Sequence, residues 1–342
     1  MLHAERVAPL PEASETDLLQ TGAALVVPAA RGAIRVTGPD RASWLQGLLT
    51  NDIEALTPGR GCYAAWLTPQ GRMITDAVVL AGDDALTLEV PRPLVDTVAR
   101  TLGAAVFAED VVIEDTSTAW AWLGVHGPAA AAVVARVLAA TGPEPSPPSF
   151  DDWPEFSHVP LDDGGALARR DAYGVAGCEL RVAAAGLDHW ISRLRLAGAV
   201  LTPAAALEFA RIEAGRPEFL VDMDADTIPL EAGLEQRAIS FTKGCYVGQE
   251  VIVRVLHRGG GRVAKRLVGL VFDDGCVPAA RAPVSAGGSD AGRVTSAAWS
   301  PRLSRPVALA YVRRYLAEPG TAVQVACDGE PATAAVRAFP LA

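Results

Sequence analysis

An internal repeat constrains this chain most. "AIRVTGPDRASWLQGLL" (33–49) runs from a β-prone strand through Val-x-Gly-Pro into a segment whose Trp44, Leu45, Leu48 and Leu49 fall on one helical face. "AWLGVHGPAAAAVVARVL" (121–138) follows the same order, and its Gly127 stands 89 positions after Gly38. Each copy continues into a second strand-then-helix pair, "ALTLEVPRPLVDTVARTLG" (85–103) and "GCELRVAAAGLDHWISRLRLAG" (177–198). Strands that must bury one face against their own helices predict two α+β units of about ninety residues each. Gly-Pro alone also marks a helix start, since Pro suits the first helical turn. Under either reading the architecture is α+β.

Beyond the repeat, Thr202 reads as an N-cap and Pro203 as the first position of a helix, "AAALEFARIEA", that ends at Gly215. Arg211 and Glu213 are two residues apart on it and cannot share a face, so one is expected to point inward. From about 262 onward short β-prone runs, "RLVGLVF", "AGRVTSAAW", "VALAYVRR" and "TAVQVAC", alternate with Gly, Pro and Asp. That spacing predicts a small antiparallel barrel or sandwich. "TGPEPSPPSFDDWPEF" (141–156) is too proline-rich for a helix or a central strand and reads as a surface loop or linker. "HRGGGRV" (257–263) lacks a following GK[ST] and reads as a flexible joint into the barrel.

With 342 residues, half of them hydrophobic and 20% charged, the chain is long enough for two or three domains with cores of their own. A net charge of -10 argues against a nucleic-acid partner, which calls for a basic face. "MLHAERVAPLPEASETDLLQTG" lacks a basic segment followed by an apolar core, and no uncharged apolar run reaches membrane-spanning length, so a cytoplasmic protein with no membrane partner is expected. The five cysteines, at 62, 178, 245, 276 and 327, are odd in number with no CxxC, and no His pair stands at ligand spacing. Reduced thiols and no stably bound metal are expected.

"SFTKGCYVGQEVIVRVLHRG" (240–259) sets Cys245 two residues after Lys243, between glycines at 244 and 248 that let backbone approach a ligand closely. A neighbouring ammonium and backbone N–H groups favour thiolate, which makes Cys245 the candidate reactive group. Its bland reading is a small packed hydrophobe. Val251, Ile252, Val253 and Val255 argue for a strand by propensity.

Taken with "RIEAGRPEFLVDMDADTIPLEAGL" (211–234), "VTGPDRASWLQGLLTNDI" (36–53) and "GRGCYAAWLTPQGRMITD" (59–76), the KGCYVGQE segment resembles the folate-binding YgfZ family, itself related to the aminomethyltransferase (T-protein) of the glycine cleavage system. The resemblance covers about 30 to 340. It implies a three-domain clover leaf around a tetrahydrofolate channel. In that arrangement 20–255 is a folate-binding region built from units at about 30–115 and 116–200 and a signature segment at 201–255, and 262–342 is a C-terminal antiparallel β-barrel. It also implies a helix after Gly248, against the β-branched propensity.

Tetrahydrofolate or a one-carbon derivative is the implied cofactor, and iron-sulfur enzymes or assembly factors are the implied partners. Lys243, Tyr246, Gly248, Gln249, Arg211, Asp76 and Tyr63 are the candidate folate contacts. Arg211 either faces the channel or forms a salt bridge to Glu213, Asp222 or Asp224. Tyr63, Trp66 and Tyr246 either stack on a pterin or fill the core. Asn51 and Asp52 are expected to cap and turn the helix that precedes them.

Two positions depart from the T-protein pattern. Thr75 stands where the T-proteins have the first of two aspartates, and Val175 stands where they have a second folate-contacting acid. A hydroxyl cannot replace a carboxylate as base or counter-charge. The expected function is therefore an accessory protein for iron-sulfur cluster assembly or repair that depends on Cys245, and not a working aminomethyltransferase. The alternative is a folate-dependent aminomethyltransferase or demethylase acting on a small amine.

Overall fold

A computed structural model describes residues 18–28, 31–139, 152–257, 262–273 and 275–342. The proline-rich stretch through 151, the glycines at 259–261 and the first seventeen residues, on which three of the expectations above rest, lie outside the described residues.

The repeat is real in three dimensions. In the first lobe β2 (Arg31–Thr37) leads through Gly38 into α1 (Arg41–Gln46), and in the second β7 (Trp120–His126) leads through Gly127 into α3 (Ala130–Ala139). Both glycines hold a positive φ, +100° and +118°, and a Cβ at either would lie 2.0 Å from Asp110 O or 2.5 Å from Gly22 O. Only glycine fits there. The second strand-helix pairs are β5 (Ala85–Pro91) with α2 (Val95–Ala104), and β10 (Gly177–Ala183) with α4 (Leu187–Leu196).

The first sheet has the order β3 (Arg60–Leu67), β4 (Met73–Ala81), β5, β2, β6 (Val112–Asp115), all antiparallel. The second has the order β8 (His158–Pro160), β9 (Ala166–Arg169), β10, β7, β1 (Ala24–Val26), β11 (Val200–Leu201). Its β1 precedes the whole repeat in sequence, pairs antiparallel with β7 and runs parallel to β11. The remaining strands, β12 (Lys265–Phe272), β13 (Pro283–Ala286), β14 (Ser289–Ser300), β15 (Arg305–Arg313), β16 (Ala322–Cys327) and β17 (Glu330–Arg337), close into a six-stranded antiparallel barrel. The α+β class with a C-terminal β-barrel is therefore as expected.

Three local expectations are corrected. Thr202 does not cap a helix: its hydroxyl donates to Val200 O, and the chain passes through a 3-10 turn (Ala204–Leu207) before α5 (Glu208–Glu213). Arg211 and Glu213 are both buried, because α5 is covered on opposite sides, and each finds a charged partner. Cys276 and Cys327 are bonded to each other with Cα atoms 6.3 Å apart, within disulfide range, because barrel closure brings the loop before β13 against the end of β16. The thiols at 62, 178 and 245 are free.

Between the lobes, the face of β3 and β4 that carries Tyr63, Val78 and Leu80 packs with Phe156 and Ala168 of the second lobe and with Met223 and Tyr246. The opposite face of the same strands, with Trp66, Ala77 and Val79, packs under α1 and α2.

Candidate functional site

Tyr63 and Asp76 meet on the inter-lobe face. Ala65 pairs with Asp76 and Trp66 with Thr75, so strand alternation sends the Asp76 side chain toward the second lobe and Thr75 toward the helices. The register is unbroken from Arg60–Ala81 to Trp66–Thr75, so Asp76 shares the face of Val78 and Leu80, and the pairing shifts only beyond Thr75. Thr75 has therefore not displaced an acid of this face. An acid at 75 would lie on the helix-covered side, and the inward-facing position holds Asp76.

Tyr63 Oη donates to Asp76 Oδ2 at 2.8 Å, while Asp76 Oδ1 is buried and has no donor among the described residues. Burial and the Asp76 carboxylate push the Tyr63 phenol well above its ordinary range, so it stays protonated as a donor. The ring of Tyr63 is stacked on Phe156 at 6.5 Å, with the Arg237 guanidinium 5.3 Å from its centroid. Asn51 Nδ2 donates to Tyr63 O and Arg237 O at 2.8 and 3.3 Å, which fixes the turn after α1 to this corner.

The signature segment docks on that same turn. Lys243 Nζ donates to Gln46 O, Leu49 O and Asn51 O at 2.6, 2.6 and 3.0 Å. An ammonium has three donors, so Lys243 has none left for a folate or for the Cys245 thiol, and its expected binding role is corrected to that of a clamp on carbonyls at the end of α1. Burial pulls its pKa down to about 8, opposed by Asp52. Tyr246 is buried in the inter-lobe cluster, with Lys243 Nζ 5.0 Å from its ring. Cys245, beside it, is exposed.

Gly248 has φ +84°, and a Cβ there would lie 2.6 Å from Thr68 O. Its close approach is to the β3–β4 turn and not to a ligand, and Gly244 is uncrowded. Gln249 opens α6 (Gln249–His257), a helix despite its β-branched run, whose Val251 packs over Gly71.

Arg211 is corrected in the same way as Lys243. Its guanidinium donates to both carboxylate oxygens of Glu208, to Arg216 O, to Asp222 Oδ2 at 2.6 Å and to Ser296 Oγ of the barrel at 2.8 Å. All five donors are committed, and Asp222 also accepts from Thr295 and Ser296. The salt-bridge alternative describes the residue. Val175 is half-buried among Tyr173 and apolar neighbours, as an apolar replacement requires.

Arg237, Arg216 and Phe156 were missed by the sequence reading. Arg216 carried no pattern at all, and Arg237 only a short "EQRA" turn. A separate open cleft of about 480 Å³ is lined by Arg72, Asp226, Glu231, Lys265 and Arg313, and none of the predicted site residues borders it. No helix among the described residues is long and apolar enough to cross a membrane.

Comparison with known proteins agrees with this geometry. The family model described as the GCVT N-terminal domain matches residues 11–243, and that of the glycine cleavage T-protein C-terminal barrel domain matches residues 265–341. The aminomethyltransferase of Streptomyces coelicolor is 32% identical over 321 residues, covering 91% of this chain and 83% of its own length. That of Rubrobacter xylanophilus is 30% identical over 309 residues, covering 87% and 78%. The crystal structure of glycine cleavage system aminomethyltransferase T from Bartonella henselae superposes with a TM-score of 0.85 at 21% identity, covering 98% of this chain and 91% of that one, a likeness of fold.

Proposed function

Because the chain belongs to the glycine cleavage T-protein family, we propose that it binds a reduced folate against the inter-lobe face and serves one-carbon transfer of the aminomethyl type. The observation that carries this is Asp76 Oδ1, a buried carboxylate oxygen with no donor among the described residues. Buried acceptors are normally satisfied, so a group with an N–H to offer fits there. When bound, a reduced folate supplies the amine nitrogen that accepts the one-carbon unit. Tyr63 holds Oδ2 and so fixes the carboxylate plane, leaving Oδ1 to accept a hydrogen bond from the ligand or to stabilise positive charge developing beside it. The rings of Tyr63 and Phe156 supply apolar surface for an aromatic ligand.

The test is formation of ammonia and methylene-tetrahydrofolate from an aminomethylated lipoyl carrier. Wild type should turn over, and Asp76→Asn should lose at least a hundredfold while melting normally. Wild type without turnover, in an assay where an authentic T-protein works, rejects the transferase reading.

One observation favours the accessory role in iron-sulfur assembly, with tetrahydrofolate bound but not turned over. Cys245 is exposed and free within KGCYVGQE, and nothing in the packing needs its sulfur. On that reading Cys245→Ser changes stability by less than about 1 kcal/mol, yet fails to restore iron-sulfur enzyme activities in a deletion strain. Full complementation by Cys245→Ser removes it.

A further inference from the structure

Resting on the folate reading, we propose that Arg216 and Arg237 form an anion subsite that takes the glutamate carboxylates at the tail of the bound folate. Arg216 follows α5 and is half-buried, yet its guanidinium makes no hydrogen bond and no ion pair among the described residues. Its Nε is sealed from solvent without an acceptor. A guanidinium loses water on burial and is ordinarily repaid by a carboxylate, so a buried donor without an acceptor calls for a missing partner.

The neighbourhood makes that partner an anion. The like charge of Arg237 acts on Arg216 more strongly than the acids Glu155 and Asp171, and with burial it pulls the Arg216 pKa down. Those two acids are already engaged: Glu155 Oε1 accepts from Arg237 Nη2 at 2.9 Å, and Asp171 is paired with Arg169. Arg216 and Arg237 both act on the neighbourhood of Glu155, and the one left unclaimed can offer a carboxylate the planar, multi-donor edge of its guanidinium.

The position selects the ligand. Arg237 lies over the ring of Tyr63, whose hydroxyl holds Asp76. One molecule reaching both groups must present an N–H donor at one end, flat apolar surface between, and a carboxylate at the other. A reduced folate with its glutamate tail has that order of groups. Tetrahydropteroate, which lacks the glutamate, does not.

Calorimetry with tetrahydrofolate and tetrahydropteroate, on wild type and on Arg216→Gln, tests the subsite. Wild type should bind tetrahydrofolate roughly ten- to a hundredfold tighter, as expected for one charge-assisted hydrogen bond or pair. Arg216→Gln should erase that preference while leaving tetrahydropteroate affinity unchanged, and Arg216→Lys should keep part of it. If wild type binds both ligands equally, or Arg216→Gln weakens both alike, the subsite is wrong while the folate reading stands. If neither ligand binds wild type, the folate reading fails and the subsite with it.

Discussion

The two α+β lobes share one strand plan and differ in what they do with it. Strand for strand, β3, β4, β5, β2 and β6 of the first sheet match β8, β9, β10, β7 and β1 of the second. The outer strand beside β2, β6, comes from the end of its own unit, whereas the strand beside β7, β1, comes from before the whole repeat. Both copies turn through a glycine that no side chain could replace, then diverge: α1 has six residues and α3 has ten. The shorter helix exposes carbonyls to Lys243, and so the first lobe becomes the dock for the signature segment. The first lobe also carries the inward acid, Asp76, on β4, where the matching β9 reads "ALAR". The second lobe instead supplies buried cations and a buried imidazole. Duplication built the scaffold, and chemistry collected where the copies stopped matching.

The largest test of this contrast is the tie between the lobes. Arg170 of the second lobe bonds Glu89 of the first at 2.9 Å and Glu179 of its own sheet at 3.0 Å, and Trp122 Nε1 also donates to Glu89. Arg170→Met removes the cation that two carboxylates share and leaves the buried Glu89 side chain only Trp122 Nε1 and Arg181, 3.7 Å away, so it should cost about 3 kcal/mol, read as a lower urea midpoint. A midpoint that does not move would mean that the Arg170 ion pairs add nothing to the hold between the lobes. Lys243→Met comes next: it orphans three carbonyls at the dock, and a loss of about 2 to 3 kcal/mol is expected in the same measurement. Loss of folate binding without loss of stability would instead return Lys243 to the ligand.

The smallest effect belongs to the second lobe alone. His126 is buried beside Tyr173, and burial, with Arg170 and Arg169 adding repulsion, lowers its pKa from 6.5 to about 3. The folded state therefore binds fewer protons than the unfolded chain between those values. Its contribution to stability is complete above pH 6.5 and falls as the pH drops toward 3, by ~2 kcal/mol between pH 6.5 and 5. His126→Phe should flatten the dependence of the urea midpoint between pH 7 and 5, whatever it does to the midpoint itself. An unchanged slope would assign acid sensitivity elsewhere.

What the sequence made legible were features with a steric or periodic signature. Gly38 and Gly127 marked the repeat because their backbone admits no Cβ, and the β-prone runs after 262 each became a barrel strand. The helix at Gln249–His257 contradicted its β-branched propensity, since the packing of Val251 over Gly71 outweighs a weak local preference. The face of Asp76 was illegible because both faces of β4 are buried, one under the helices and one against the second lobe, so alternation alone does not say which face is which. The roles of Lys243 and Arg211 were misread for a related reason. Charge and motif suggested a ligand, but acceptors nearly two hundred residues away for one, and on the barrel for the other, had already claimed their donors. The Cys276 and Cys327 bond depends on barrel closure and left no spacing signal.

The strand exchange also bears on how the protein is made. Ala24–Val26 is fully buried between β7 and β11, strands that lie about a hundred and about a hundred and seventy-five residues further along. On a ribosome, residues 31–115 hold every strand of their own sheet and can fold as soon as they emerge. Ala24–Val26, synthesised earlier still, must wait with its apolar side chains uncovered until the second lobe is out. A strand made before the first lobe is thus covered only after the second lobe is complete, so its burial reports the last step of assembly.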